Sequence, residues 1–250
     1  MGQQYESHLT RIKDRPGEKL QVQLSRRFLD KLPISKSKEK NQNSCRVLEI
    51  GPGSGRVAEL LLKSGFLYEA IEPTPIMRSN LISASRGYTN MGKVWPNQMP
   101  EFDPEQFSKY DYVLAFHVLE HMRDQYEARE FISSCFKMLK PNGHILIVSP
   151  DYRDYKNLFY EIDWSHGFPT SVERVRSLLV DIGFADIVSE GSRAGTTSHF
   201  FKACLFILDR ILPLSILDLI FLKSSGHRLL ASGFSVGFLK KNVIALARKP

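Results

Sequence analysis

Cysteine is scarce in this chain: Cys45, Cys135 and Cys204 are widely separated and odd in number. They offer no disulfide framework, and the expected setting is a reducing, cytoplasmic one. A secretory leader is not expected either, because MGQQYESHL carries no apolar stretch behind a basic start. Gly2 opens a segment loosely like a myristoylation site, but Glu6 stands where serine or threonine is needed. Nor does the most apolar segment, HFFKACLFILDRILPLSILDLIFL, reach the roughly 20 uninterrupted apolar residues that a bilayer crossing takes. Lys202, Asp209, Arg210, Pro213 and Asp218 break it. No aromatic-interleaved basic stripe accompanies the net charge of +7, so that charge does not imply a nucleic-acid partner.

What remains is a chain of 250 residues, 42% hydrophobic, long enough to bury one sizeable core. Its most informative stretch is VLEIGPGSGR, Val47 to Arg56, an apolar strand that ends in an acid and meets glycines at 51, 53 and 55. A helical pattern (Val57, Leu60, Leu61) follows, so the turn lets the backbone come close to a ligand. The spacing is not that of a dinucleotide loop, since G-x-G-x-x-G requires glycine where Arg56 stands. Downstream, YEAIEPTP reads as a second strand ending in Glu72, about 20 residues past the glycine turn. There a βαβ unit places a carboxylate for ribose hydroxyls. Thr74 and Pro75 read as the cap and first turn of the next helix.

DYVLAFHVLEHM, Asp111 to Met122, admits two readings. His117, Glu120 and His121 spell H-x-x-E-H, a zinc-peptidase signature that belongs on a continuous helix. Here an apolar strand pattern abuts His117, and a fresh helix start with Asp124 as cap and Glu127 three residues on follows at once. LKPNGHILIVSP then reads as a helix end, a turn and a strand from His144 to Ser149 buried on both faces. Beyond it, Thr170 and Glu173 suggest a capping box, with Val172, Val175, Leu178, Leu179 and Ile182 at helical spacing and Gly183 as the stop.

These motifs, in this order over about residues 44 to 190 and again at Asn242 to Ala247, resemble the class I S-adenosyl-L-methionine (SAM) dependent methyltransferases of the type 11/12 kind. The resemblance implies an α/β, doubly wound, mostly parallel seven-stranded sheet of order 3-2-1-4-5-7-6 with the last strand antiparallel. It implies SAM as cofactor, held by Glu49, Gly51, Gly53, Gly55, Glu72, Pro73, Asn97, Phe116 and His117. An acid often found after strand three has no counterpart before Glu101, so Asn97 or Gln98 is left to meet the adenine. Glu49 is implied for the cofactor's ammonium and Glu72 for its ribose.

Methyl transfer to a hydroxyl needs a base, and His117 and His166 fall in loops at the carboxyl ends of strands, where open α/β sheets build their sites. The expected acceptor carries a hydroxyl, ahead of an amine or a carbon, on a small-molecule, glycan-pathway or lipid-linked compound. A peptidase built on H-x-x-E-H and a SAM-fold protein that binds without catalysis are the alternatives. No resident metal is expected.

Both flanks are basic around an acidic centre. Residues 1–43 form a flank with a helix at about Lys19 to Leu32 and a polar run, SKSKEKNQNS, and residues 44–250 form the domain. Within the domain, 196–240 is an apolar, basic insertion where the family usually has a short hairpin. Phe201, Leu205, Leu208 and Leu212 recur at helical spacing, which suits a helix at a membrane surface, a lid over a greasy substrate, or a contact with a second copy. The 200–222 segment therefore carries an expectation of peripheral contact with the inner face of a membrane.

Overall fold

The computed structural model describes residues 29, 45–53, 55–99, 107–161, 163–193 and 241–250. The insertion 196–240, the polar linker and all of the N-terminal helix except Leu29 lie outside the described residues. In chain order the elements are β1 (Arg46–Ile50), α1 (Arg56–Lys63), β2 (Leu67–Ile71), α2 (Pro75–Ala84), β3 (Met91–Trp95) and β4 (Tyr110–Phe116). A 3-10 turn (Leu119–His121), α3 (Gln125–Met138), β5 (Leu139–Pro150), α4 (Tyr152–Tyr155), α5 (Leu158–Glu161), α6 (Val172–Ile182), β6 (Ala185–Arg193) and β7 (Lys241–Arg248) follow.

The seven strands form one sheet in the order β3-β2-β1-β4-β5-β7-β6, as the sequence predicts. The first five pair in parallel, and β7 runs antiparallel to both β5 and β6. Strands β1, β4 and β5 read as continuous apolar runs because helices cover both faces of the sheet. On one face Val57, Ala58, Leu61 and Leu62 of α1 and Leu81 of α2 pack against Tyr68, Ala70, Leu114, Leu146 and Val148, and Leu29 joins them from the N-terminal flank. On the other, Phe131 and Ile132 of α3 and Val175 and Leu179 of α6 meet Val113, Ile145, Ile147 and Val243.

Local details differ from the sequence reading in instructive ways. The cap of α6 is Ser171, whose Oγ accepts from the Arg174 amide, while the Thr170 hydroxyl donates to the Pro150 carbonyl. Thr170 therefore ties β5 to the segment entering α6 instead of capping it. Strand β3 ends at Trp95, two residues before Asn97, and of its residues only Trp95 is buried. Strand β6 extends past Ser189 to Arg193, and Arg193 pairs with Lys241. Lys241 in turn accepts from the Asp151 amide through its carbonyl and donates its own amide to Asp154. The two ends that flank 194–240 thus meet at the carboxyl edge of β5, beside α4. Among the described residues no helix is long and apolar enough to cross a membrane.

Candidate functional site

The carboxyl ends of β1, β2, β4 and β5 share one edge, and the candidate site is built there. Gly51, Gly53 and Gly55 all adopt positive φ, the left-handed region that glycine enters without a Cβ penalty. Their surroundings differ. A Cβ on Gly51 would meet Val118 at 2.7 Å and one on Gly55 would meet Leu81 at 2.8 Å, whereas one on Gly53 would meet nothing within 4 Å. Gly51 and Gly55 are demanded by the protein's own packing, and Gly53 borders open space.

Contrary to the simplest expectation, the glycine amides are not left free for a ligand. Gly51 N donates to Ile71 O, Gly55 N to Pro52 O and Gly53 N to Glu72 Oε2 at 3.1 Å. A pyrophosphate loop requires free N–H groups aimed at the anion. These glycines offer room instead, which suits a cofactor without phosphates.

Two buried carboxylates lie beside this space. Glu72, at the end of β2, accepts from Gly53 N and, through Oε1, from Thr74 N at 2.9 Å. Burial raises its pKa against the lowering effect of those amides. Glu49, 2% exposed, accepts from the Tyr68 hydroxyl at 2.7 Å. Burial pushes its carboxyl up to about 7, with the Tyr68 bond opposing and the charge of Glu72 adding to the rise. Among the described residues no ion pair reaches Glu49. Two carboxylates held this close without a shared cation make a fitting receptor for a cationic ligand, and the ammonium and sulfonium of SAM are such groups. Pro73 is exposed, Asn97 is half-buried in the loop after β3, and Phe116 packs half-buried at the end of β4.

The second half of the site is the turn after β4. His117 has φ 56, a left-handed value that a non-glycine residue holds only when its surroundings impose it. Its amide donates to Val148 O, and its Nδ1 lies 3.2 Å from Glu120 Oε1, with the ring 45% exposed. Glu120 is 1% exposed and also accepts from Ser149 Oγ at 2.6 Å. Burial would raise its carboxyl, but the bond and charge of His117, the charge of His121 and the Ser149 bond outweigh it and bring the pKa down to about 2. Val118, between them, presses on Gly51, so this turn touches the glycine loop directly.

His166 is brought to the same turn, but not as an open base. Its Nδ1 bonds the Phe159 carbonyl at 2.6 Å, its ring stands edge-on to His121 at 5.0 Å, and burial lowers its pKa. H-x-x-E-H is divided: His117 and Glu120 form a dyad on a strand end and a 3-10 turn, not a zinc helix. Three residues were missed by the sequence reading as site components. Tyr68 supports Glu49, and Ser165 and Asp163 support His121, with Nδ1 of His121 2.8 Å from Ser165 Oγ. Only the alternation of β2 could have placed Tyr68 on the same face as the glycine loop; the Ser165 contact spans a loop and has no local signal.

Comparisons with known proteins agree with this geometry. A family model described as a methyltransferase domain matches residues 17–190. The ubiquinone biosynthesis O-methyltransferase of Bradyrhizobium diazoefficiens is 33% identical over 116 residues, 45% of this chain and 42% of the relative. The N-terminal Xaa-Pro-Lys N-methyltransferase 1 of Rattus norvegicus is 32% identical over 127 residues, 49% of this chain and 54% of the relative. The chain thus spans about half the length of these curated relatives. Among solved structures, the N-methyltransferase NodS from Bradyrhizobium japonicum in complex with S-adenosyl-L-homocysteine superposes with TM-score 0.59 at 17% identity, over 96% of this chain and 91% of that one.

Proposed function

This chain belongs to the methyltransferase domain family with SAM as its cofactor, and from that premise we propose that it methylates a hydroxyl on a small acceptor with a substantial apolar part. The cofactor brings the electrophile, a methyl group on a sulfonium. The protein's tasks are to hold it, to align the acceptor and to take the hydroxyl proton. Glu72 and the space over Gly53 receive the ribose side, and Glu49 receives the ammonium, directly or through water.

The observation that carries the hydroxyl reading is the His117–Glu120 dyad. A half-exposed imidazole is held by a buried carboxylate that Ser149 fixes from behind, at the edge that touches the glycine loop. An oriented imidazole of this kind is suited to removing a proton from a hydroxyl. His166 is buried, and its Nδ1 is tied to the Phe159 carbonyl. The apolar character of the acceptor rests on the segment 194–240, whose flanking residues meet beside α4 and whose sequence is rich in leucine and phenylalanine. It also supports a peripheral position at the inner face of a membrane, reached through 200–222. The relatives include one named for O-methylation and one for N-methylation, so matched acceptors are the test.

SAM with a labelled methyl group is incubated with alkyl-chain phenols and with the corresponding anilines. Label in the phenol ether, lost in His117→Ala even at saturating SAM, is expected. Labelled amine without labelled ether overturns the hydroxyl reading.

A further inference from the structure

We propose that Glu120, His121 and His166 form a divalent-metal site where the loop after β5 meets the turn after β4. One oxygen of Glu120 and one ring nitrogen of each histidine lie within 4.8 Å of one another. The three come from two separate stretches, and the backbone fastens them together: Gly167 N and Phe168 N both donate to the Glu120 carbonyl, at 2.9 and 3.1 Å. The join is close, because a Cβ on Gly167 would meet Met122 O at 2.5 Å.

Hydrogen bonds at Nδ1 orient both imidazoles. The Phe159 carbonyl can only accept, so Nδ1 of His166 carries a proton. Ser165 Oγ gives its one proton to Asp163 Oδ1 at 2.6 Å, so toward His121 it accepts, and Nδ1 of His121 carries a proton too. In its neutral form each ring then keeps its lone pair on Nε2. Two imidazoles oriented through Nδ1 by a carbonyl and by a serine–aspartate pair have the outer support that metal-binding histidines ordinarily show. Glu120, hydrogen-bonded by Ser149 and His117, has the support that a ligating carboxylate shows. Two nitrogens and one carboxylate oxygen suit zinc, cobalt or another borderline cation with an open position, not magnesium or calcium. His117 is outside the set, since its Nδ1 faces Glu120 from the glycine-loop side. The site does not depend on the methyl-transfer reading.

The test uses the full-length protein stripped by a chelator, titrated with Zn2+ in a calorimeter and with Co2+ followed by visible absorption, without SAM. Saturation at one equivalent with the visible bands of a nitrogen- and oxygen-ligated Co2+ is expected. Ser165→Ala should weaken Zn2+ binding by about 10- to 100-fold, and His121→Asn and His166→Gln should weaken it further. Thermal melts in chelator establish that the variants are folded, and His121, half-buried, is the safer of the two to change. Absence of saturable binding by the folded protein overturns the proposal. So does a Co2+ spectrum that neither histidine variant alters, because the ion would then lie elsewhere.

Discussion

The Tyr68 hydroxyl donates to Glu49 Oε2 at 2.7 Å, inside the sheet face beneath the glycine loop. It is the one hydrogen bond that lowers the pKa of a carboxyl which burial has raised to about 7. A cationic cofactor end requires the ionised form, so SAM affinity should rise with pH through this value and fall about tenfold per unit well below it. Tyr68→Phe removes the lowering bond, and the midpoint of the affinity profile should move to higher pH. Calorimetric titrations with SAM across this range check it; a flat profile for the native protein would remove Glu49 from the ammonium site.

The same group predicts an opposite trend for the ligand-free fold. Its folded-state pKa lies above the ordinary value of 4.5. The stability it contributes is therefore fully present below that value and is lost as pH rises through about 7. Ligand-free protein should melt at a lower temperature at pH 8 than at pH 6, and SAM should narrow the difference. Glu49→Gln should flatten the dependence that this group contributes.

Glycine substitutions should separate packing from ligand space. Gly55→Ala puts a methyl 2.8 Å from Leu81 at a positive φ and should cost about 1–3 kcal/mol of stability. Gly53→Arg strains the backbone similarly, but its Cβ would meet nothing within 4 Å, so it should leave a folded protein that has lost SAM. Equal SAM affinity in Gly53→Arg would mean that the open space is not the cofactor's.

Gly167→Ala tests the seam between the 163–168 loop and the turn after β4. Its methyl would run into Met122 O and the backbone of Arg123, so the 163–168 loop must shift. A loss of about 1–3 kcal/mol is expected, together with loss of the NMR contacts between the rings of His121 and His166. Intact contacts would show that the loop gives way without moving.

For the segment 200–222, Leu205→Asp with Leu212→Asp should reduce partition onto anionic vesicles by more than tenfold while leaving SAM binding unchanged, because the charges fall on the apolar stripe. Native protein that ignores vesicles would contradict the membrane reading.

Much of this architecture was legible because its signals are local. The apolar runs of β1, β4 and β5, the glycine turn, the Asp124 cap, whose Oδ1 accepts from Tyr126 N and Glu127 N, and Gly183 at φ 98 each announce an element within a few residues. Strand β3 was hidden because it is an edge strand in which only Trp95 is buried, so no apolar run marks it. The cap of α6 was misplaced by one residue because the Thr170 hydroxyl is taken by a carbonyl on another strand. Of the candidate site, Glu49, the glycines, Glu72 and His117 sit in short contiguous motifs, which the family resemblance singles out. The pairing of His121 with Ser165 and His166 does not, since it depends on how a loop after β5 folds back on the turn after β4.

The central claim is that the glycine loop and its two carboxylates bind SAM, and calorimetric titration of metal-stripped protein with SAM and S-adenosylhomocysteine, beside Glu72→Ala, tests it most directly. Micromolar binding to the native chain, weakened at least tenfold in the variant, is predicted. A folded protein that binds neither compound, or a Glu72→Ala variant that binds both unchanged, would contradict it.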